Sequence, residues 1–545
     1  MTSAIHEASV GCDSLNIYPA GNLSNAPSEL LTIQTHDQTN TVTSRPDHER
    51  GSPPISQQQG VPPELPSLLA EIVFVLTCAS GQLVFALLIG HVTVTQSVFG
   101  AALGIAPSQT PWLVGSFMLA SGLSVIVSGS LADLAPPKPL VVGAFLWELL
   151  WTAVAAAAIR PRLQVLFFVA RAMQGLAVGV LVSASMSILG RVYSPGRRKT
   201  RVFSLMAAGS PLGYWLGCLQ AGALSAHLPW IFGSTAVFLA VCAVAAQLTI
   251  PFLRPARDGR DSEAPSLRQF DYVGAALASV GCSLVVFGLT QGSSANWNPY
   301  TYSSIVLGSL MLGAFYFVER LVARPLVPNN LWRTPGFGPL LVSYFLGLGA
   351  YSGAWQFYAI QFWQRYQVAT PLTAALYLLP NGLIGVLAAF LVSKTLHVVP
   401  THVILTASMV AFGLGLVFFL PQTYRLASSY KYNYWALSMP GVALATFGPD
   451  LSFAAAAIFV TSSVPRSYQG AAGSLLVTVQ SLAMAVMTSV CGAVGARVET
   501  LPSGEIGLAG IRAIWWFGLG TALIGALITA TMVRIPKAEE KEHVQ

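Results

Sequence analysis

Glu148, Arg171 and Asp450 each stand well inside an apolar run of about 20 residues, and Glu71 stands near the start of another. A charged side chain at the centre of a membrane helix costs about 2.5 to 3.5 kcal/mol on insertion scales. Each of these groups must therefore do something: hold a proton, meet a cargo, or clamp neighbouring backbone. Asp450 follows Pro449 in Phe447-Gly448-Pro449-Asp450, and Pro removes one backbone donor. Two readings of Asp450 stand side by side, a carboxyl that titrates or faces cargo and a cap on a second half-helix. Arg171 reads as a clamp on nearby carbonyls, and Glu148 as a protonated acid in a helix contact.

Polar and aromatic side chains gather in two further runs. One carries Thr77, Ser80 and Gln82 at mid-depth, and another carries Tyr351, Trp355, Gln356 and Gln361. Tyr and Trp at the ends of membrane helices are interfacial anchors, but Tyr351 and Trp355 lie too deep for that and suit a cavity for an amphipathic, ring-containing ligand. Gly209-Ser210-Pro211-Leu212-Gly213-Tyr214-Trp215-Leu216-Gly217 sets three glycines at four-residue spacing, one close-packing helix face. Gln469-Gly470-Ala471-Ala472-Gly473-Ser474 offers a second small-residue face, and the two together suggest an interface between bundles, with Gly209, Pro211, Gly213 and Gly217 on one side.

The elements that carry these residues follow from composition. Of 545 residues 54% are hydrophobic and 9% charged, whereas a soluble domain needs about 25% charged residues. The bilayer must therefore be the solvent. Apolar runs long enough to cross it fall at about 68–94, 110–131, 139–160, 163–190, 200–226, 229–253, 271–292, 303–322, 337–361, 370–394, 401–421, 433–462, 467–495 and 510–534. The expected fold is an all-α integral membrane protein of fourteen transmembrane helices. If the chain starts inside, Arg160, Arg162, Arg365, Arg425, Lys431, Arg497 and Arg512 fall in outer segments and every other Lys and Arg except Arg171 in inner ones. That bias supports an even number of crossings with both termini cytosolic.

Residues 1–65 are rich in Ser, Thr, Pro, Asn and Gln and read as a disordered cytosolic tail, with no signal peptide. A sequon at Asn22 would be idle there, so no glycosylation is expected. The spans group as a six-helix bundle at 66–253, a linker with two extra spans (271–292 and 303–322) at 254–336, a six-helix bundle at 337–534, and a tail at 535–545. Such a pattern fits two homologous bundles with a helical pair inserted. The formal net charge of +7 is spread in short clusters between apolar runs, which points to anionic lipid and away from nucleic acid. Six widely spaced cysteines fit no metal or disulfide framework. No His-rich metal pattern or phosphate loop occurs, so neither a metal, a cofactor nor an enzyme is expected.

With these residues in hand, the chain resembles the major facilitator superfamily, in particular its fungal fourteen-span drug:proton antiporter family, over about residues 68–534. The superfamily loop pattern G-x-L-x-D-R-x-G-R-[KR] is matched at Gly129, Leu131, Asp133 and Lys138, with Leu134 and Pro136-Pro137 replacing the first Arg and the Gly-Arg pair. The pattern R-x-x-Q-G is complete as Arg171-Ala172-Met173-Gln174-Gly175. Against G-P-x-x-G-G, Pro211 matches while Ser210, Tyr214 and Trp215 replace glycines.

The resemblance implies a gating loop at Gly129, Asp133 and Lys138, and proton coupling at Arg171; Asp450, the other deep charge on a cavity span, joins Arg171 in coupling by its depth. It also implies a central cavity lined by spans 1, 4, 9 and 12, with Gln82, Gln174, Tyr351, Trp355, Gln356 and Gln361 as its candidates. The expected function is alternating-access, proton-coupled efflux of a small amphipathic organic compound, a drug or fungal secondary metabolite, with protons and the bilayer as partners. The alternative on the same fold is transport of a small polar solute or ion such as ammonium or borate. The expected location is a multi-pass protein of the plasma membrane in preference to the vacuolar membrane.

Overall fold

The computed structural model describes residues 62 and 65–533 except 135, 194–196, 253–269, 296, 323–324, 396–398, 425–432 and 465–467; for side chains it also stops short of 130–134, 197, 200, 293–294, 389–395 and 461. Most of the expected amino-terminal tail, the Asn22 sequon, the 535–545 tail, nearly all of 254–270 and the Asp133 carboxylate lie outside the described residues.

The described chain is helical throughout, as hydrocarbon demands, because only helices and closed barrels satisfy every backbone group there. The first half runs through α1 (Leu68–Val94), α2 (Gln96–Leu103), α3 (Trp112–Leu134), α4 (Pro137–Ala157), α5 (Gln164–Val192), α6 (Arg197–Ala223) and α7 (Leu228–Thr249). Then come α8 (Tyr272–Ser294) and α9 (Pro299–Glu319). The remainder is α10 (Phe337–Leu348), α11 (Phe357–Tyr366), α12 (Pro371–Tyr377), α13 (Leu379–Thr395), α14 (Thr401–Phe419), α15 (Met439–Ser463), α16 (Gln469–Val498) and α17 (Leu508–Met532).

Helix starts carry their usual chemistry. Ser67 caps α1, Asp271 Oδ1 accepts from Gly274 N at 2.8 Å to cap α8, and Thr370 caps α12. Prolines open α4, α9 and α12, where a missing N–H costs nothing.

Among the described residues thirteen helices are long and apolar enough to cross a membrane. The run expected as the ninth span is not one of them, for a physical reason. It is divided into α10, a π-helix over Gly349–Gln356, and α11, which follow one another without a gap. π-helices are rare and gather at functional sites. Here the widened turn coincides with a very close approach, since a Cβ on Gly349 or Gly353 would overlap Met487 of α16.

Helices α1 and α3 to α7 pack mainly on one another, and so do α10, α11 and α13 to α17, while α12 packs mainly on α6. Two further seams join the groups. Along α3 and α16, Thr478 Oγ1 donates to Gly122 O at 2.8 Å, and Gly122 and Gly129 leave room for Ser481 and Ser474. Along α6 and α13, Pro211 and Trp215 lie against Gly385 and Gly382. The face expected between bundles therefore needs correcting. Gly213 and Gly217 abut the Leu83 and Leu87 backbone of α1, with Gly209 near Ala79 O, whereas Pro211 does face the second group. Three glycines on one face must share a partner, and that partner is a helix of the same group.

Helices α8 and α9 pair through Gly281, Gly288 and Gly308. The pair rests on the α3–α16 seam, where Thr290 and Ser489 hydroxyls lie 2.7 Å apart and Trp112 meets Phe287. Within the most apolar stretch of α9, 11% of residues are buried against 72% for α1, which marks α9 as peripheral.

Candidate substrate cavity

Between the two groups of helices lies a narrow cavity of about 90 Å³. One wall is Phe85, Ala86 and Ile89 of α1, Met118 of α3, and Ser210, Pro211 and Tyr214 of α6; the other is Leu348, Tyr351, Ser352, Gln356, Asn381, Thr446, Pro449, Asp450, Gln480 and Met484. Water occupies about 30 Å³ in the liquid, so this conformer holds a few waters' worth of space. A drug-sized ligand, which needs roughly 300 Å³ or more, requires the walls to part.

Asp450 is the cavity's acid. Helix α15 runs through Pro449 without ending, so no half-helix begins at Asp450 for it to cap. Its Oδ2 has no hydrogen-bond partner among the described residues, and Gly385 opposite leaves it space. A buried carboxylate without a donor costs several kcal/mol, so the site has room for one positive charge, a proton or a cation. Beside it Asn381 Nδ2 donates to Tyr351 Oη at 2.8 Å and to Thr446 Oγ1 at 3.0 Å. On the same wall Gln480 Oε1 accepts from Tyr344 Oη at 3.4 Å, and across the cavity Tyr214 Oη has no hydrogen-bond partner among the described residues.

Tyr351 and Gln356 line this cavity, and the four other residues read from sequence as cavity candidates do not. Trp355 is buried behind the wall, its ring tilted against Tyr351 and edge-on to Phe419 at centroid distances of 5.1 and 5.8 Å. Gln82 sits half-buried near Gly209. Gln361 reaches the end of the molecule that bears α2 and donates to Gln96 Oε1 at 3.0 Å. Gln174 belongs to a separate network around Arg171.

Arg171 is fully buried. Its Nε and Nη2 donate to Leu113 O at 3.4 Å and Leu88 O at 3.1 Å, its Nη1 donates to Gln174 Oε1 at 2.8 Å, and its guanidinium lies over the Phe117 ring. Gln174 Nε2 donates to Thr152 Oγ1 at 2.8 Å and Thr152 Oγ1 to Glu148 Oε1 at 3.2 Å. No side chain of this network lines the cavity. Glu71 is also engaged: its Oε1 accepts from Tyr193 Oη at 2.9 Å and Arg198 Nε at 2.8 Å, and its Oε2 pairs with Arg198. The bond to Glu71 holds the Arg198 guanidinium above its ordinary value. Burial first and then the Glu71 bond push the Tyr193 phenol up, so it stays a donor.

In the expected gating loop, α3 extends to Leu134 and α4 starts at Pro137, so Lys138 is the second residue of a helix and half-buried. Gly129 faces Ser474 on the seam. Sequence reasoning did not single out Asn381 or Gln480, and it met Tyr214 only as a replaced glycine; lone amides inside apolar runs, Asn381 after Pro380 and Gln480 between Val479 and Ser481, were the available signal. It also missed an amide cluster joining α1 and α2 to α11. There Gln96 Nε2 donates to Phe357 O at 3.1 Å, Ser97 Oγ to Gln364 Oε1 at 2.9 Å, and Gln364 Nε2 to Val94 O at 2.6 Å.

Comparison with known proteins fits this architecture. The low affinity ammonium transporter of Saccharomyces cerevisiae is 30% identical over 88% of this chain and 92% of its own length. Efflux pump terJ of Aspergillus terreus is 31% identical over 85% and 88%. The solved structure of the peptide transporter POT superposes with a TM-score of 0.61 over 85% of this chain and 95% of its own, at 17% identity, and the nucleoside transporter NupG gives 0.56 at 12% over 85% and 100%. The sequence profile of the Major Facilitator Superfamily matches residues 74–488, and the chain, a multi-pass membrane transporter, belongs to that family.

Proposed function

We propose that this chain is an alternating-access transporter that expels a small amphipathic organic compound in exchange for protons. The observation that carries the reading is Asp450: an unpartnered carboxyl in a cavity walled by both groups of helices. A proton and a cargo that compete for such a group cannot both occupy it, and exclusive occupancy is what exchange requires. The aromatic and thioether wall of Phe85, Tyr214, Tyr351, Met118 and Met484 suits a ring-bearing cargo. Relatives named as efflux pumps or multidrug transporters support the direction.

The same reading holds fourteen crossings in two six-helix bundles, α8 and α9 outside them, both termini in the cytosol, and the plasma membrane as location. Gly129, Asp133 and Lys138 form its inner gate. A second reading, transport of ammonium through the same cavity, draws support from the narrowness of the cavity, the acid in it and the yeast ammonium transporter among the relatives.

The test uses the full chain in liposomes under an imposed pH gradient, with tetraphenylphosphonium and methylammonium as probes. The wild type is expected to concentrate tetraphenylphosphonium, and Asp450→Asn to lose that accumulation while still exchanging the probe passively. Accumulation of methylammonium alone would replace the first reading by the second. Unchanged gradient-driven transport by Asp450→Asn would remove Asp450 from coupling.

A further inference from the structure

The hydrogen bonds that run from Arg171 toward Glu148 all point one way. Arg171 donates to Gln174, Gln174 to Thr152, and Thr152 to Glu148 Oε1. Gln174 is fixed in this sense, because a reversed amide would set its NH2 against the guanidinium. All four residues are fully buried, and the chain ends on a carboxyl whose Oε2 has no partner. Arg171 stays protonated in proteins, and among the described residues no carboxylate lies within ion-pair distance of it. Glu148, three hydrogen bonds away, is the carboxyl at the end of its chain.

We propose that Glu148 is a second proton-binding site, wired to Arg171 through Thr152 and Gln174. Bare, Glu148 accepts the chain and balances the guanidinium. Protonated on Oε2, it balances nothing, and the guanidinium's charge is left to the Gln174 amide, the Leu88 and Leu113 carbonyls and the Phe117 ring. Those contacts lead to the cavity: Leu88 lies beside Ile89, and Phe117 meets Phe85 at 6.1 Å, and both Ile89 and Phe85 line it. A proton at Glu148 is thereby felt at the wall that cargo touches. This deepens the exchange reading and rests on the proton being the coupled ion.

The groups facing the site are few. Helix α5 brings Arg171, and α7, the other helix packed on α4, carries no acid, lysine, arginine or histidine. Helix α1, which meets Arg171, brings the buried His91, held 2.9 Å from Gln220 Oε1.

Infrared difference spectroscopy on the purified full-length chain in liposomes, stepped between about pH 5 and pH 9, tests the proposal through the C=O stretch of protonated carboxyls. One titrating band is expected to vanish in Glu148→Gln. Its midpoint is expected to shift by at least about one pH unit in both Thr152→Val and Gln174→Leu, which keep Glu148 but cut the chain. Should Glu148→Gln fail to fold, the band is the one that moves in those two variants and not in Asp450→Asn. If no band titrates in this way, or its midpoint stays put when the chain is cut, the proposal is overturned. Gradient-driven transport by Asp450→Asn reports separately on the exchange reading: its persistence beside a titrating, chain-dependent Glu148 band would remove Asp450 and leave Glu148 standing.

Discussion

Around Arg171 the guanidinium's donors reach Leu113 O, Leu88 O and Gln174, and a Phe117 ring covers one face; around Asp450, at the cavity wall, one buried carboxylate oxygen meets no donor among the described residues. Both are deep charges on helices of the same fold. The difference teaches that charge alone does not identify a working site. A charge whose hydrogen bonds are filled is part of the architecture and acts through what it holds in place, whereas a charge left bare is available to something that comes and goes.

Stability measurements sharpen this contrast most. Arg171→Ala leaves Gln174 and two carbonyls without their donor, and breaking a buried charged network costs about 3–5 kcal/mol. A large fall in the melting temperature of the purified protein and in its yield is expected. Asp450→Asn removes a buried charge that has no partner, so it should be neutral within about 1 kcal/mol or stabilising. Equal melting temperatures for Arg171→Ala and wild type, or a collapse of Asp450→Asn, would break the comparison.

A smaller effect separates glycines that look alike in sequence. A Cβ on Gly213 would press into the Leu83 backbone, which cannot yield like a side chain, whereas one on Gly209 would meet Ala79 O at 3.5 Å, an ordinary contact. Gly213→Ala is expected to cost about 1–3 kcal/mol and Gly209→Ala to stay within about 0.5 kcal/mol, read as thermal midpoints in one detergent.

How much of this was legible in sequence depended on whether the signal was local. Composition and run length located the helices, because crossing hydrocarbon needs a long apolar stretch and nothing more. The deep charges were visible for the same reason, since each is costly where it stands. What surrounds them was not visible. Gln174 and Gln356 are both amides inside apolar runs, yet one is bonded to Arg171 and the other lines the cavity, and that is decided by helix rotation. The spacing of Gly209, Gly213 and Gly217 announced a close contact but could not say with which helix. The π-helix at Gly349–Gln356 carries no sequence mark beyond its two glycines, because it depends on how α16 fits against it.

The smallest effect lies at the end of the molecule that the exchange reading makes extracellular. There Gln361 gives one hydrogen bond to Gln96, while Gln364 both accepts from Ser97 and donates to Val94 O. These bonds tie α11 to α1 and α2, so they must break whenever the cavity opens on that side. A neutral hydrogen bond contributes about 0.5–1.5 kcal/mol, and 1.4 kcal/mol is a factor of ten in an equilibrium. Gln361→Leu should therefore raise the open population by about two- to tenfold, and Gln364→Leu, losing two bonds, by more. A cysteine introduced by Ser352→Cys at the cavity wall reports this as its labelling rate by a membrane-impermeant maleimide added from outside. The expected order of rates is Gln364→Leu above Gln361→Leu above the parent. Identical rates would mean that opening on that side is limited elsewhere, with the contact of Gly222 on Leu372 between α6 and α12 the next place to loosen.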